Sequence, residues 1–291
     1  MNRTNNPGAG GMLKAWSASV RRFFKSYIPF TRAGMQDAIN FRVDFMFIIL
    51  GCAVQLCILF FIWSGVFNSS GSTDFMGFTR PDMITYIFVA FLAGFLTYSD
   101  VMWQVGEEIH NGSIAMRILK PVSFNLTYLF QEFGFRLLVA ALMILPIVGG
   151  VEVYRFFAFG CVQFNPAQFL VFIISVFMAF LILFFFNLCC AFLAFIFKEI
   201  WGVNMLKYII VDFLSGALIP LAMLPGWAEK TLLILPFSSL TYTPVMIYMG
   251  RYTGVQALLF MGLQVFWMLF FIALAEVIWR IVIKHLCVQG G

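Results

Sequence analysis

The feature that most constrains this chain is a set of six apolar runs, at residues 43–66, 83–103, 127–149, 169–197, 200–222 and 256–283. A hydrocarbon core about 30 Å thick is crossed by about 20 apolar residues in a helix. Backbone polar groups in lipid must be paired internally, so only helices and closed barrels span it. These runs are continuous and lack the alternation of a barrel strand, which predicts helices. Composition closes the alternatives. Of the 291 residues, 62% are hydrophobic and 11% charged, against about 25% charged in an ordinary soluble domain. A water-soluble globule cannot hide that much apolar surface. A net charge of +5 is too small, on so apolar a chain, for a nucleic-acid binder, and 38 Phe residues exclude disorder. The expectation is an all-α integral membrane protein with six transmembrane helices.

Lys and Arg in the loops orient it. Arg3, Lys14, Arg21, Arg22, Lys25, Arg32 and Arg42 precede the first run. Arg117, Lys120, Lys198, Arg280 and Lys284 fall on the same side, against Arg80, Arg155, Lys230 and Arg251 on the other. Both termini are therefore expected in the cytoplasm, and the first run is expected to act as an uncleaved signal anchor. The predicted organisation is a cytoplasmic N-terminal segment (1–42), a six-span domain (43–283) and a short cytoplasmic tail (284–291).

The cysteines and histidines argue against other chemistries. Cys52, Cys57, Cys189 and Cys190 lie in apolar runs and Cys287 in the tail, which leaves Cys161 without a partner in a candidate external loop. No Cys/His set has zinc spacing. His110 and His285, the two histidines, lie outside the runs, which counts against an intramembrane Ser–His protease or a metalloprotease.

Three further segments carry pattern. Over residues 12–28, Leu13, Trp16, Val20, Phe23, Phe24 and Tyr27 recur at helical spacing, with Lys14, Arg21 and Lys25 on another face. That predicts a basic amphipathic helix in the cytoplasmic interface, beside anionic lipid headgroups. Residues 106–121 join the second and third runs. Here Ile109, Ile114, Met116, Ile118 and Leu119 give an apolar side, Glu107, Glu108, His110, Arg117 and Lys120 a polar one, and Pro121 a stop. A short cytoplasmic helix over 106–119 is predicted, an interfacial turn being the alternative. Residues 214–249 are apolar but cut by Pro220, Pro225, Pro236 and Pro244. Proline removes a donor and breaks a helix, so re-entrant helices dipping into the outer leaflet are expected rather than a seventh crossing.

Ionisable groups inside spans are functional candidates by default. Glu132 and Arg136 stand at i and i+4 with the acid first, which predicts a self-compensating pair. Glu276 and Arg280 repeat the spacing near the cytoplasmic end of the last run. Lys207 and Asp212 are about 140° apart around their helix and cannot pair with each other. Each needs a partner on another helix, on a second chain or in a hydrated cavity, so both are candidates for a transport path or for interhelical pairing.

This combination resembles the membrane subunit of ABC-2-type ATP-binding-cassette exporters, in the branch with six-span permeases. Two motifs carry the likeness. One is Gly-x-[Ile/Leu]-x(3–4)-Leu-x-Pro, here Gly-Ser-Ile-Ala-Met-Arg-Ile-Leu-Lys-Pro at 112–121. The other is Ser-Gly-x-Leu-Ile-Pro-Leu-x-x-Leu-Pro-x-Trp at 215–227, followed by Leu-Pro-Phe at 235–237. The resemblance implies that residues 12–28 are a connecting helix and that 106–119 are a coupling helix docking on an ATPase. Gly106, Glu107, Glu108, Ile109, Gly112, Met116, Arg117 and Pro121 would then serve coupling. It implies a re-entrant gate at Gly216, Pro220, Pro225, Trp227, Pro236 and Phe237. It also implies two permease chains, identical or paralogous, meeting through the second and fifth spans and working with two ATPase copies.

The chain has no G-x-x-x-x-G-K-[ST] loop, and the dipeptide Gly-Lys never occurs. Hydrolysis is therefore expected on a separate subunit. No cofactor is expected in this chain, ATP and Mg being bound by the ATPase. The expected function is export of a hydrophobic or amphipathic substrate across a bacterial plasma (inner) membrane, among membrane lipids and with no nucleic acid. The alternative is an ion- or proton-coupled secondary carrier using Asp212, Lys207 and Glu132, which would favour broken helices in both halves of the chain.

Overall fold

The computed structural model describes residues 9–40, 42–70, 74–160, 164–192 and 201–285. Among the described residues five stretches are long and apolar enough to cross a bilayer: Ile49–Ser69, Arg80–His110, Phe124–Phe159, Pro166–Ala191 and Gly254–Lys284. They lie in α2 (Arg42–Ser70), the pair α3 (Arg80–Thr97) and α4 (Val101–His110), α6 (Phe124–Phe159), α7 (Pro166–Ala191) and α11 (Gly254–His285). The protein is an all-α integral membrane protein, with one short β ornament between α2 and α3. There β1 (Asp74–Phe75) and β2 (Phe78–Thr79) form an antiparallel ribbon. Its turn holds positive φ at both Met76 and Gly77, the backbone such a tight hairpin requires.

Local signals start and stop the long helices. Thr79 and Asp82 close a capping box on α3, with Pro81 in its first turn. The Asn165 side chain accepts from the backbone N–H of Ala167 and Gln168 at the start of α7. Gly160, at φ 71°, ends α6 in the left-handed conformation.

Three sequence expectations change in detail. Residues 106–119 are not one helix: α4 runs to His110, and α5 (Ile114–Ile118) follows a turn in which Gly112 takes φ 75° and Asn111 Oδ1 accepts from the Ser113 N–H. A left-handed glycine stops helix propagation there. The run 83–103 is interrupted between α3 and α4. In the run 200–222 helix is confined to α8 (Trp201–Leu214), whose 14 residues reach about 21 Å at 1.5 Å each. The residues before it, 193–200, lie outside the described residues.

The proline-cut segment forms a 3₁₀ turn at Leu221–Met223, then α9 (Gly226–Ile234) and α10 (Tyr242–Tyr248). At 9 and 7 residues these helices reach about 14 and 11 Å, too short to cross. They are nevertheless pinned. Tyr86 donates to the Gly216 carbonyl, the Tyr242 N–H to Ser215, and α10 is buried throughout against α3 and α7. Gln264 of α11, fully buried, donates to the carbonyls of Ser175 and Ser239 and accepts from Ser175 Oγ.

The N-terminal helix α1 (Ala9–Asn40) extends well past the expected 12–28 and packs along α6. The side chains of residues 9–19 and Arg22 lie outside the described residues, and with them most of the predicted amphipathic face. From Val20 onward, Arg21 and Lys25 are exposed, while Tyr27 is buried with its ring stacked on Phe130 and its hydroxyl accepting from the Ser123 N–H. Where α1 meets α6, two glycines set the distance. A Cβ on Gly34 would fall on the Gln131 carbonyl, and one on Gly134 would fall on the Thr31 carbonyl. Small residues let helix backbones approach this closely in a membrane.

Gly134→Ala should therefore destabilise the protein by about 1–3 kcal/mol, the usual cost of overpacking. Gly149→Ala on the same helix, where an added Cβ meets nothing within 4 Å, should be neutral or stabilising through helix propensity. Thermal unfolding of the two variants in detergent checks this, and equal midpoints would contradict it.

Candidate functional site

The second span breaks at Tyr98–Asp100, and the break frees backbone groups that a continuous helix would pair. Side chains from the next two spans replace the lost bonds. The Asp100 N–H donates to Glu132 Oε1 at 2.8 Å, Arg136 Nη1 donates to the Phe95 carbonyl at 3.2 Å, and Asn187 Nδ2 donates to the Ser99 carbonyl at 2.9 Å. The Arg136 guanidinium also lies over the rings of Tyr98 and Phe135, 5.1 Å from each centroid. Glu132 and Arg136 are thus used differently from the expected mutual pair. Among the described residues no ion pair joins them, and each reaches back to the broken span. Leaving one buried polar group unpaired costs about 1–3 kcal/mol, so these three bonds offset part of the cost of interrupting the helix.

The break also divides the interior. One buried cluster runs from Phe78 and Met83 through Leu96 to α10, and the other starts at Val101 and takes in Tyr128, Phe184 and Phe271. Between them opens a cavity of about 1060 Å³, walled by α2, α3, α4, α6 and α8 and reaching α1 at Asp37. All four intramembrane candidates, Glu132, Arg136, Lys207 and Asp212, line it, together with Asp100, Gln104, Asn187 and Tyr208. Lys207 and Asp212 form no ion pair among the described residues. The outer side of α8 is uncovered, with Leu206, Ile209, Ile210 and Phe213 exposed.

Below the break, α4 and α5 make a tip on the side that the positive charges assign to the cytoplasm. Glu108 and Arg117 do not point outward from it. The Glu108 carboxylate accepts from Arg117 Nε at 3.0 Å, from Arg117 Nη2, and from Tyr128 Oη at 2.6 Å. The guanidinium lies 3.8 Å from the centre of the Tyr128 ring and also reaches Thr127 and Gln131. The pair is a strut between the tip and α6. Gly106 is buried and Ile109 partly so, whereas Met116 and Leu119 are 69% and 79% exposed. Glu107 is exposed and also lines the cavity, and Pro121 is exposed near Tyr27.

The proposed gate residues separate by burial. Gly216 (φ 80°), Pro220 and Pro236 are buried, Phe237 packs edge-on against Phe186, and Pro225 and Trp227 are exposed. An added Cβ at Gly216 would press on Tyr86 Oη at 3.1 Å. Sequence reasoning missed Asn187, Gln131, Tyr128 and Asp100. Asp100 carried a usable signal, an acid inside an apolar run, while Tyr128 and Gln131 carried none beyond polarity near a helix start.

A family model described as "ABC-2 family transporter protein" matches residues 53–290. No curated protein and no solved structure matches the chain.

The break generates a prediction that separates charge from hydrogen bonding. Glu132→Leu, which leaves the Asp100 N–H without its acceptor, should lower stability by about 1–3 kcal/mol. Glu132→Gln keeps an acceptor oxygen and should lose less. Thermal unfolding of both variants decides, and equal losses would show that the hydrogen bond to Asp100 is not what Glu132 supplies.

Proposed function

Because the chain belongs to the ABC-2 transporter family, a family of multi-pass membrane subunits that work with an ABC ATPase, we propose that it is the permease of an exporter for hydrophobic or amphipathic molecules. The observation that carries the reading is the cavity at the broken second span. It is large enough for a drug-sized ligand, for which cavities of about 300–1,000 Å³ are usual. Its wall mixes Phe91, Phe95 and Leu59 with charged groups, which suits a molecule that is partly apolar and partly polar.

In this reading ATP and Mg are held and hydrolysed by the ATPase, and this chain converts its movement. The exposed Met116 and Leu119 dock on the ATPase. The Glu108–Arg117–Tyr128 strut carries a displacement of the tip into α6, and Glu132 and Arg136 of the same helix hold the break above it. A push on the tip thereby reaches the cavity wall through hydrogen-bonded side chains rather than through a single long helix. Two permease chains, identical or paralogous, close the path around a two-fold axis through the second and fifth spans, with two ATPases beneath. The uncovered apolar side of α8 is supplied with a neighbour in such a pair. The protein sits in a bacterial inner membrane with both termini in the cytoplasm, the segment 214–249 closes the outer end, and transport runs outward.

Replacing Met116 and Leu119 together with Asp should abolish co-purification with the ATPase and ATP-driven transport in proteoliposomes, while the chain still inserts and elutes as a single species. Both side chains are exposed, so the fold has little to lose. Normal assembly and transport in this double variant would overturn the assignment of the tip. Glu108→Ala should behave differently: it opens the strut and lowers thermal stability by about 1–3 kcal/mol, because Arg117 and Tyr128 lose their acceptor.

A further inference from the structure

We propose that the cavity at the broken second span is a binding site for organic cations, so that the exporter's substrates are cationic amphiphiles. The inference rests on the export reading above and adds the sign of the charge.

The cavity wall is acidic in excess. Asp37, Asp100, Glu107, Glu132 and Asp212 contribute five carboxylates, against the two cations of Arg136 and Lys207. One of the two cations is partly committed: Arg136 Nη1 is 3.2 Å from the Phe95 carbonyl, and the guanidinium lies over Tyr98 and Phe135. Among the described residues none of the five enters an ion pair, although Glu108, Glu152, Asp82 and Glu276 elsewhere all do. The Asp100 carboxylate receives only a long contact, 3.4 Å, from the Tyr98 hydroxyl.

The uncharged part of the wall has the same preference. Asn187 is 2% exposed, and its Oδ1 has no hydrogen-bond donor; the same holds for Gln104 Oε1. Unpaired acceptors in this wall, Asn187 Oδ1, Gln104 Oε1 and Glu132 Oε2, stand beside one unpaired donor, Arg136 Nε, and the Ser99 hydroxyl. Between the carboxylates stand aromatic rings. Tyr98 and Tyr208 lie edge to face with centroids 6.4 Å apart, both exposed in the isolated chain, one beside Asp100 and the other one helical turn from Asp212. Aromatic faces attract cations through their quadrupole, and quaternary ammonium groups are bound in this way; with Arg136 over one face of Tyr98, the Tyr208 ring is the more open of the two. Attraction between charges strengthens where water is scarce, and a carboxylate at membrane depth is costly until something positive meets it. An incoming organic cation supplies that partner, and its apolar body takes the places beside Phe91, Phe95 and Leu59. An anion of the same shape meets an excess of carboxylates, with Lys207 and the Arg136 Nε the cationic groups left to meet it.

The test uses two probes of nearly equal shape and opposite charge, tetraphenylphosphonium and tetraphenylborate, with the full chain in lipid nanodiscs and no nucleotide. Tetraphenylphosphonium should bind saturably and tetraphenylborate should not. Asp212→Asn should weaken tetraphenylphosphonium by about tenfold or more, the ratio given by about 1.4 kcal/mol. Lys207→Met, which removes a like charge, should tighten it. The gain in the second variant keeps the test decisive if the first fails to fold. Equal binding of the two probes, or unchanged affinity in a folded Asp212→Asn together with no gain in Lys207→Met, would overturn the proposal. The export reading fails separately: cation binding would remain while ATP-driven transport was absent. Transport of neutral or anionic compounds without cation binding would instead retain export and refute the charge.

Discussion

A transmembrane helix that stops in mid-course must find partners for the backbone groups it releases, and that requirement organises this protein. In lipid there is no water to take them, so the side chains that do so have to come from neighbouring spans. Glu132 and Arg136 of α6 and Asn187 of α7 meet the Asp100 N–H and the carbonyls of Phe95 and Ser99. The break thereby becomes a fixed joint between three spans. The packed interior lies in two halves above and below it, and the chamber between them holds the polar side chains that an uninterrupted bundle would have had no room for.

The same helix that secures the joint also carries the Glu108–Arg117 strut and the tight crossing with α1. Tyr128 and Thr127 meet the Glu108–Arg117 pair, Gln131 and Gly134 meet α1, and Glu132 and Arg136 meet the break. These residues span only about three turns of α6. A force on the tip and a change at the cavity therefore act on one short stretch of backbone, packed against the N-terminal helix with no room for a methyl group.

Much of the architecture was legible in the sequence because hydrophobic length is a strong signal. Four apolar runs coincide with long helices and a fifth with the pair α3 and α4, and the prolines at 220, 225, 236 and 244 correctly mark a segment made of short pieces. Residues whose role depends on a neighbour in space were not legible. The break at Tyr98–Asp100 contains neither Gly nor Pro, and what sustains it are acceptors and donors 32 to 88 residues away. The i, i+4 spacing of Glu132 and Arg136 suggested a local pair, yet backbone groups with no other partner draw both away. Likewise Glu108 and Arg117 belonged to the polar side of a pattern, but a turn at Gly112 folds α5 back so that the two meet over Tyr128. The glycines at 34 and 134 stand alone in unremarkable surroundings, and only the crossing of α1 and α6 gives them meaning.

The central claim is that the broken span opens a water-reachable chamber at membrane depth, and solvent access measures it most directly. In a chain whose natural cysteines have been replaced, single cysteines would be placed at Asn204, in the chamber wall, and at Leu145, which is 81% exposed on the outside of α6. A water-soluble methanethiosulfonate reagent should modify position 204 much faster than position 145, because the thiolate forms and reacts in water and not in lipid. Adding Glu132→Leu should change the rate at 204 and leave that at 145 unaltered. An inert cysteine at 204, or equal rates at the two positions, would contradict the account.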